Sequence, residues 1–114
     1  MKVRYTDAFK RQLKRLNRRY RRIRADVQPI IDQLAAGATP GKRVQGTAHV
    51  LCKVRAPNSD SSRGKRGGYR IIYHLCAPGE ALLVAIYSKA DQADIGQDEV
   101  LAIVRGMDPD TDVP

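Results

Sequence analysis

A small set of side chains has the types and spacing to act on a phosphate ester. Lys53 and Arg55 stand two apart in a stretch of alternating polarity, so both project to one face of a strand. Arg70 opens the next apolar stretch, and Tyr87 and Lys89 share parity at the end of a third. RNA cleavage without a metal needs three things. The 2′-hydroxyl must lose a proton, the extra charge on phosphorus must be stabilised, and the leaving 5′-oxygen must be protonated. Arginine suits the second role, because its fork matches phosphate and its charge is permanent. A lysine crowded by cations can act as acid or base, and a tyrosine can stack on a base or donate a proton. The same side chains serve equally to hold phosphate without chemistry. His49 and His74, both in expected strands, form a second possible acid–base pair. The plainer reading of His74 is a half-exposed strand residue sharing a face with Arg70 and Ile72.

Other chemistries find no support. There is no GxxxxGK[ST] loop and no nucleophile elbow. Acids are scarce before residue 80, so no carboxylate cluster is expected to hold Mg²⁺, and neither a metal nor a cofactor is called for. Cys52 and Cys76 are too few for a disulfide framework or zinc site and read as reduced, buried strand residues. No apolar run reaches the roughly 18 residues that span a bilayer, and the first residues lack the apolar core of a signal peptide. A cytoplasmic location is expected.

The charge is unevenly placed. Residues 1–70 carry 19 Lys/Arg against 4 Asp/Glu, net +15, whereas residues 71–114 carry 2 against 8, net −6. A surface this basic suits a polyanion, and nucleic acid is the commonest one. It also suits an acidic protein partner.

The elements that must carry these groups can be read from periodicity. Residues 2–5 alternate as a short strand. Phe9, Leu13, Leu16, Tyr20 and Ile23 recur at helical spacing after a cap at Thr6 or Asp7. The other faces of that helix carry Lys10, Arg11, Lys14, Arg15, Arg18 and Arg19. Like charges four apart repel, so packing or an anionic partner must offset them. Val27, Ile30, Ile31 and Leu34 mark a second helix, with Asp26 as its cap, Pro29 in its first turn and Gly37 at its end. Residues 39–47 read as loop. Strands are expected at 49–55, 69–76 and 81–88, with a polar loop at 56–68 and a Pro78-Gly79 turn, giving an antiparallel meander. A last helix runs from about Gln97 to Arg105. The order is β-α-α-β-β-β-α, an α+β domain over residues 1–106 with helices on one face of the sheet. Residues 107–114 form an acidic tail, expected to be disordered.

At Lys53-Val54-Arg55 and from Gly64 to Tyr73 the sequence resembles the RelE/HigB-type toxins of the RelE/ParE superfamily. These carry a Lys-x-Arg strand followed by a Gly-Lys-x-Gly-Gly-x-Arg entry into a strand ending Ile-Tyr. Tyr87-Ser88-Lys89-Ala90-Asp91-Gln92-Ala93-Asp94-Ile95 resembles the aromatic-x-Lys segment, followed by acids, of HigB-like members. The likeness spans about residues 4–105. It implies a RelE-like, microbial-ribonuclease-like fold and a toxin restrained by a cognate antitoxin. It also implies metal-free cleavage of mRNA on the ribosome. Position by position it makes Arg70 the group that stabilises the transition-state phosphate. Lys53 and Arg55 become phosphate ligands that assist proton transfer, while Lys65 and Arg66, with Arg63 beside them, contact RNA backbone from the loop. Where some RelE members place Arg and Tyr after the third strand, this chain has Ala90 and Gly96, and Tyr87, Lys89 or His74 stand in. Two other functions share the features. One is the ParE branch, which inhibits DNA gyrase without catalysis, and the other is a plain RNA-binding module. An antitoxin is expected to lay an acidic or amphipathic helix across the sheet or the basic helix.

Overall fold

Helix α1 (Asp7–Arg19) begins where Thr6 leaves strand β1 (Lys2–Tyr5). The computed structural model describes residues 1–60 and 68–106. The Thr6 hydroxyl accepts from the Phe9 N–H at 2.9 Å, an N-cap, and donates to the Val84 carbonyl at 2.8 Å. One buried side chain thus starts a helix and ties it to the sheet. Phe9 is fully buried, and Leu13, Leu16 and Tyr20 pack partly against the same core. Burying a side chain such as Phe9 contributes roughly 1.5–3 kcal/mol.

Helix α1 ends at Arg19, and Ile23 begins helix α2 (Ile23–Ala35) instead of extending the α1 stripe. Pro29 therefore lies inside α2 and not in its first turn, and Asp26 is not its cap. The N-cap position is Arg22, which offers no side-chain cap, and its own N–H is satisfied from far along the chain, by Asp60 at 2.8 Å. Asp26 instead accepts from the N–H and hydroxyl of Ser59, at 2.9 and 3.0 Å, pinning α2 to the loop after β3 (Leu51–Ala56). Proline removes the bond to the carbonyl four residues earlier, at Ala25, which is on an exposed residue that water can reach. Gly37, at φ 96°, ends α2 as expected.

The sheet has five strands in the order β1-β5-β4-β3-β2, with β2 at Lys42–Arg43, β4 at Tyr69–Ala77 and β5 at Glu80–Ser88. The expected meander is β3-β4-β5. Strand β1 adds to β5 in parallel. The stretch read as loop contains β2, antiparallel to β3. Gly41 makes that pairing possible. Its φ is +92°, and a Cβ there would collide with the Lys53 carbonyl.

The α+β class holds, but the helices divide between the two faces. Cys52, Val54, Tyr69, Ile71, Tyr73 and Leu83 face α1 and α2. Leu51, Ile72, Leu82, Val84 and Ala85 face α3 (Gln97–Gly106) through Val100 and Val104. The first face holds the larger apolar set, so it takes two helices, and the shorter α3 covers only the apolar half of the second. Cys52 is buried as expected, whereas Cys76 is exposed near the end of β4. No helix among the described residues is long and apolar enough to cross a membrane. The expected tail at 107–114 and the loop residues Arg63, Lys65 and Arg66 lie outside the described residues.

Candidate active site

The uncovered half of the α3 face is where the charged residues gather. In the β3–β4 ladder Arg55 stands directly opposite Arg70, and in the β4–β5 ladder Arg70 stands opposite Tyr87. These three side chains form one row across the sheet. The row depends on a bulge. Ile72 pairs with Ala85 while Tyr73 pairs with Leu83, so β5 holds one extra residue, Val84. If β5 alternated strictly from Leu82 with no bulge, Tyr87 would fall on the face that α1 and α2 cover. The Val84 carbonyl is the one that Thr6 holds. One row along, Lys42 stands opposite Lys53. Like charges placed directly opposite destabilise a sheet, and here it happens twice.

Lys42, Lys53, Arg55, Arg70, Tyr87 and Lys89 line one open cleft of about 680 Å³ with Asp94 at its side. All five residues expected to be catalytic are therefore brought together. Arg70 is only 7% exposed. Its guanidinium makes a long bond of 3.3 Å to the Tyr69 carbonyl, and among the described residues no carboxylate pairs with it. Arg55 is exposed beside it. Lys89 stands just past the end of β5, its N–H bonded to the Gly68 carbonyl and its ammonium 2.7 Å from the Ala93 carbonyl. Gly68 is required at the entry to β4, since a Cβ there would meet the Ala56 carbonyl.

Two residues of the cleft, Lys42 and Asp94, are not among those expected to form the site. Lys42 arrives through β2, and Pro40-Gly41 before it is the only sign of a defined turn. Asp94 lies between β5 and α3. Its Oδ1 accepts from Lys53 Nζ at 2.9 Å, from the Tyr87 hydroxyl at 2.9 Å and from the Ile95 N–H at 2.8 Å. The Lys53 ammonium, the Tyr87 hydroxyl and that N–H hold the Asp94 carboxyl down at about 2. Burial, and then the Asp94 carboxylate, push the Tyr87 phenol upward, so Tyr87 keeps its proton. A signal for Asp94 is present in the sequence, because an acid close after an aromatic-x-Lys segment is conspicuous in a site so rich in cations.

His74 does not join the cleft. Ile72 separates it from Arg70 along β4, and its ring lies edge-on to His49 with centroids 5.3 Å apart. Burial, reinforced by His49, lowers its affinity for a proton. No group of three or more His, Cys, Asp or Glu among the described residues is placed to hold a metal ion.

This arrangement can bind an anion from several sides and move protons beside it. Residues 3–93 match a family described as the ParE toxin of the type II toxin-antitoxin system, parDE. A comparison with curated protein sequences found no match. The family match spans most of the chain, so the chain belongs to the ParE toxin family. It is a toxin of a type II toxin–antitoxin system, and an antitoxin protein is its partner.

Proposed function

We propose that this toxin is a metal-independent endoribonuclease that cleaves mRNA on the ribosome, as in the RelE/HigB branch that its motifs resemble. Arg70 carries the proposal. A guanidinium cannot shed its charge, and a buried cation without a counter-ion is costly. Arg70 nevertheless sits in the floor of an open cleft with Arg55 directly opposite and no carboxylate beside it among the described residues. A phosphodiester supplies the missing charge. As the 2′-oxygen attacks phosphorus, Arg70 and Arg55 stabilise the charge that builds on its non-bridging oxygens. Lys53 and Lys89 flank that position and supply the proton transfers, while Tyr87 offers a hydrogen-bond acceptor beside them. Arg63, Lys65 and Arg66 extend the contacts to the RNA backbone, and His74 gives at most a contact outside the cleft.

A translation extract with one defined mRNA tests this. Cuts within codons are expected only when ribosomes are present, and intact mRNA with active protein would refute it. Membership of the ParE toxin family favours a second function, the inhibition of DNA gyrase without catalysis expected of the ParE branch. Accumulated gyrase–DNA cleavage complexes with intact mRNA would establish that one instead.

A further inference from the structure

We propose that Asp94 is the positioning residue of the cleft, the carboxylate that holds Lys53 and Tyr87 in the one arrangement able to act on a bound phosphodiester. The inference rests on the ribonuclease function above and deepens it. One oxygen of Asp94 takes three donors: the Lys53 ammonium, the Tyr87 hydroxyl and the Ile95 N–H. The two side chains come from different strands, and β4 lies between them. Nothing else among the described hydrogen bonds joins them.

The holder is itself held. Ile95, next in sequence, is buried against α3 and the sheet. Gln92 donates to the Asp94 carbonyl at 2.9 Å, and Lys89 bonds the Ala93 carbonyl. The Asp91 and Gln92 N–H groups bond the Ser88 carbonyl at 3.0 and 3.1 Å. The segment after β5 is thus braced at both ends, and the carboxylate is fixed relative to the sheet.

The consequence for chemistry follows from donor and acceptor capacity. Lys53 spends one of its three N–H bonds on Asp94 and keeps two for substrate. Tyr87 gives its only proton to Asp94 and so offers an acceptor oxygen to the cleft. Asp94 thereby makes Tyr87 an acceptor, suited to receive a hydrogen bond from the 2′-hydroxyl, and keeps Lys53 as a donor to phosphate or leaving group. No bond forms or breaks at Asp94 itself. Its carboxylate also lowers the positive charge of the cleft, so it opposes RNA binding while aiding alignment.

These opposed effects give a test. Asp94→Asn and Asp94→Ala are compared with the parent for cleavage of ribosome-bound mRNA and for affinity to the same complex carrying a 2′-deoxy residue at the cut. Cleavage is expected to fall about tenfold to a hundredfold, as for a reacting group displaced by about an ångström, while affinity holds or rises. Tyrosine ¹³Cζ NMR reads the contact itself, and the Tyr87 resonance, assigned with Tyr87→Phe, should titrate at lower pH in Asp94→Asn. Unchanged cleavage in both variants, equal losses in cleavage and affinity, or an unmoved Tyr87 titration would each overturn the proposal. A parent that leaves mRNA intact overturns the ribonuclease function and this inference together. A parent that cuts beside an Asp94→Ala variant that cuts as fast overturns this inference alone.

Discussion

Replacing Arg70 by methionine should separate the stability of this protein from its activity. The substitution keeps a long apolar stem in a site that is 7% exposed and removes a charge that no described carboxylate balances. Exchanging buried charged groups for apolar ones of similar volume is commonly neutral or stabilising by about 1–4 kcal/mol. The cleft wets one side of Arg70, so the lower end applies, about 1 kcal/mol. For a domain of this size that raises the melting temperature by about 4 °C. Activity should move the other way. Losing a donor aimed at developing charge costs about 2.7–4 kcal/mol, or roughly 10²–10³-fold in rate. Thermal melts followed by circular dichroism and cleavage in a translation extract measure the two effects on one preparation. Arg70→Lys keeps the charge without the fork and should fall between parent and methionine variant in rate. A methionine variant that melts several degrees lower would show that Arg70 is held for structure. One that cuts mRNA at the parent's rate would remove Arg70 from the chemistry.

Three other substitutions probe the supports of the site. Thr6→Val removes an N-cap and leaves the Val84 carbonyl at the bulge without its donor. A loss of about 1–3 kcal/mol in urea unfolding is expected, largely restored in Thr6→Ser, and a loss below about 0.5 kcal/mol would refute the double role. Gly41→Ala forces a side chain into positive φ and against the Lys53 carbonyl. Strand β2 should detach and take Lys42 from the cleft, costing at least about 1–2 kcal/mol and weakening RNA binding, and hydrogen exchange at β2 no faster than in the parent would refute it. His74 is held neutral by burial and by His49, so the unfolded chain binds the extra proton. Stability due to this group is present above about pH 6.5 and falls as pH drops below it, and His74→Phe should flatten the decline between about pH 7 and 5. An unchanged slope in denaturation at several pH values would refute that assignment.

Much of the architecture is legible in the sequence because burial follows periodicity. The alternation in β3 puts Lys53 and Arg55 on one face and Cys52 and Val54 on the other, as found. What escapes depends on partners far apart in sequence. The N-cap of α2 is Arg22, which has no side-chain cap and whose N–H is satisfied by Asp60 thirty-eight positions away, so a local reading points to Asp26 instead. Strand β2 is two residues long and exists only because β3 lies beside it. The division of helices between faces turns on which apolar residues α3 meets. Cys76 sits near a strand end, where alternation no longer implies cover. Among site residues, parity places Tyr87 beside Lys89, but its position opposite Arg70 needs the bulge at Val84, which no spacing announces. Asp94 is visible as an acid near the cations, and its three bonds are not.

The placement of cations bears on which target the cleft was shaped for. A protein target with acidic side chains can be met by exposed, mobile lysines and arginines, and α1 supplies these in Arg11, Lys14, Arg15 and Arg18. Such a surface does not require a buried guanidinium. Arg70 is buried, faces Arg55 across one ladder and Tyr87 across the other, and has Lys53 and Lys42 one row away. The Arg55–Arg70 pair weakens the sheet in the absence of a ligand, whereas Asp94 offsets the Lys42–Lys53 pair. The arrangement suits an anion that enters the cleft with oxygens spread widely enough to reach several cations at once. A phosphodiester meets both conditions, whereas a single carboxylate offers two oxygens on one side. Asp94 points the same way, since it spends its charge on Lys53 and Tyr87 and leaves the two arginines free for the ligand.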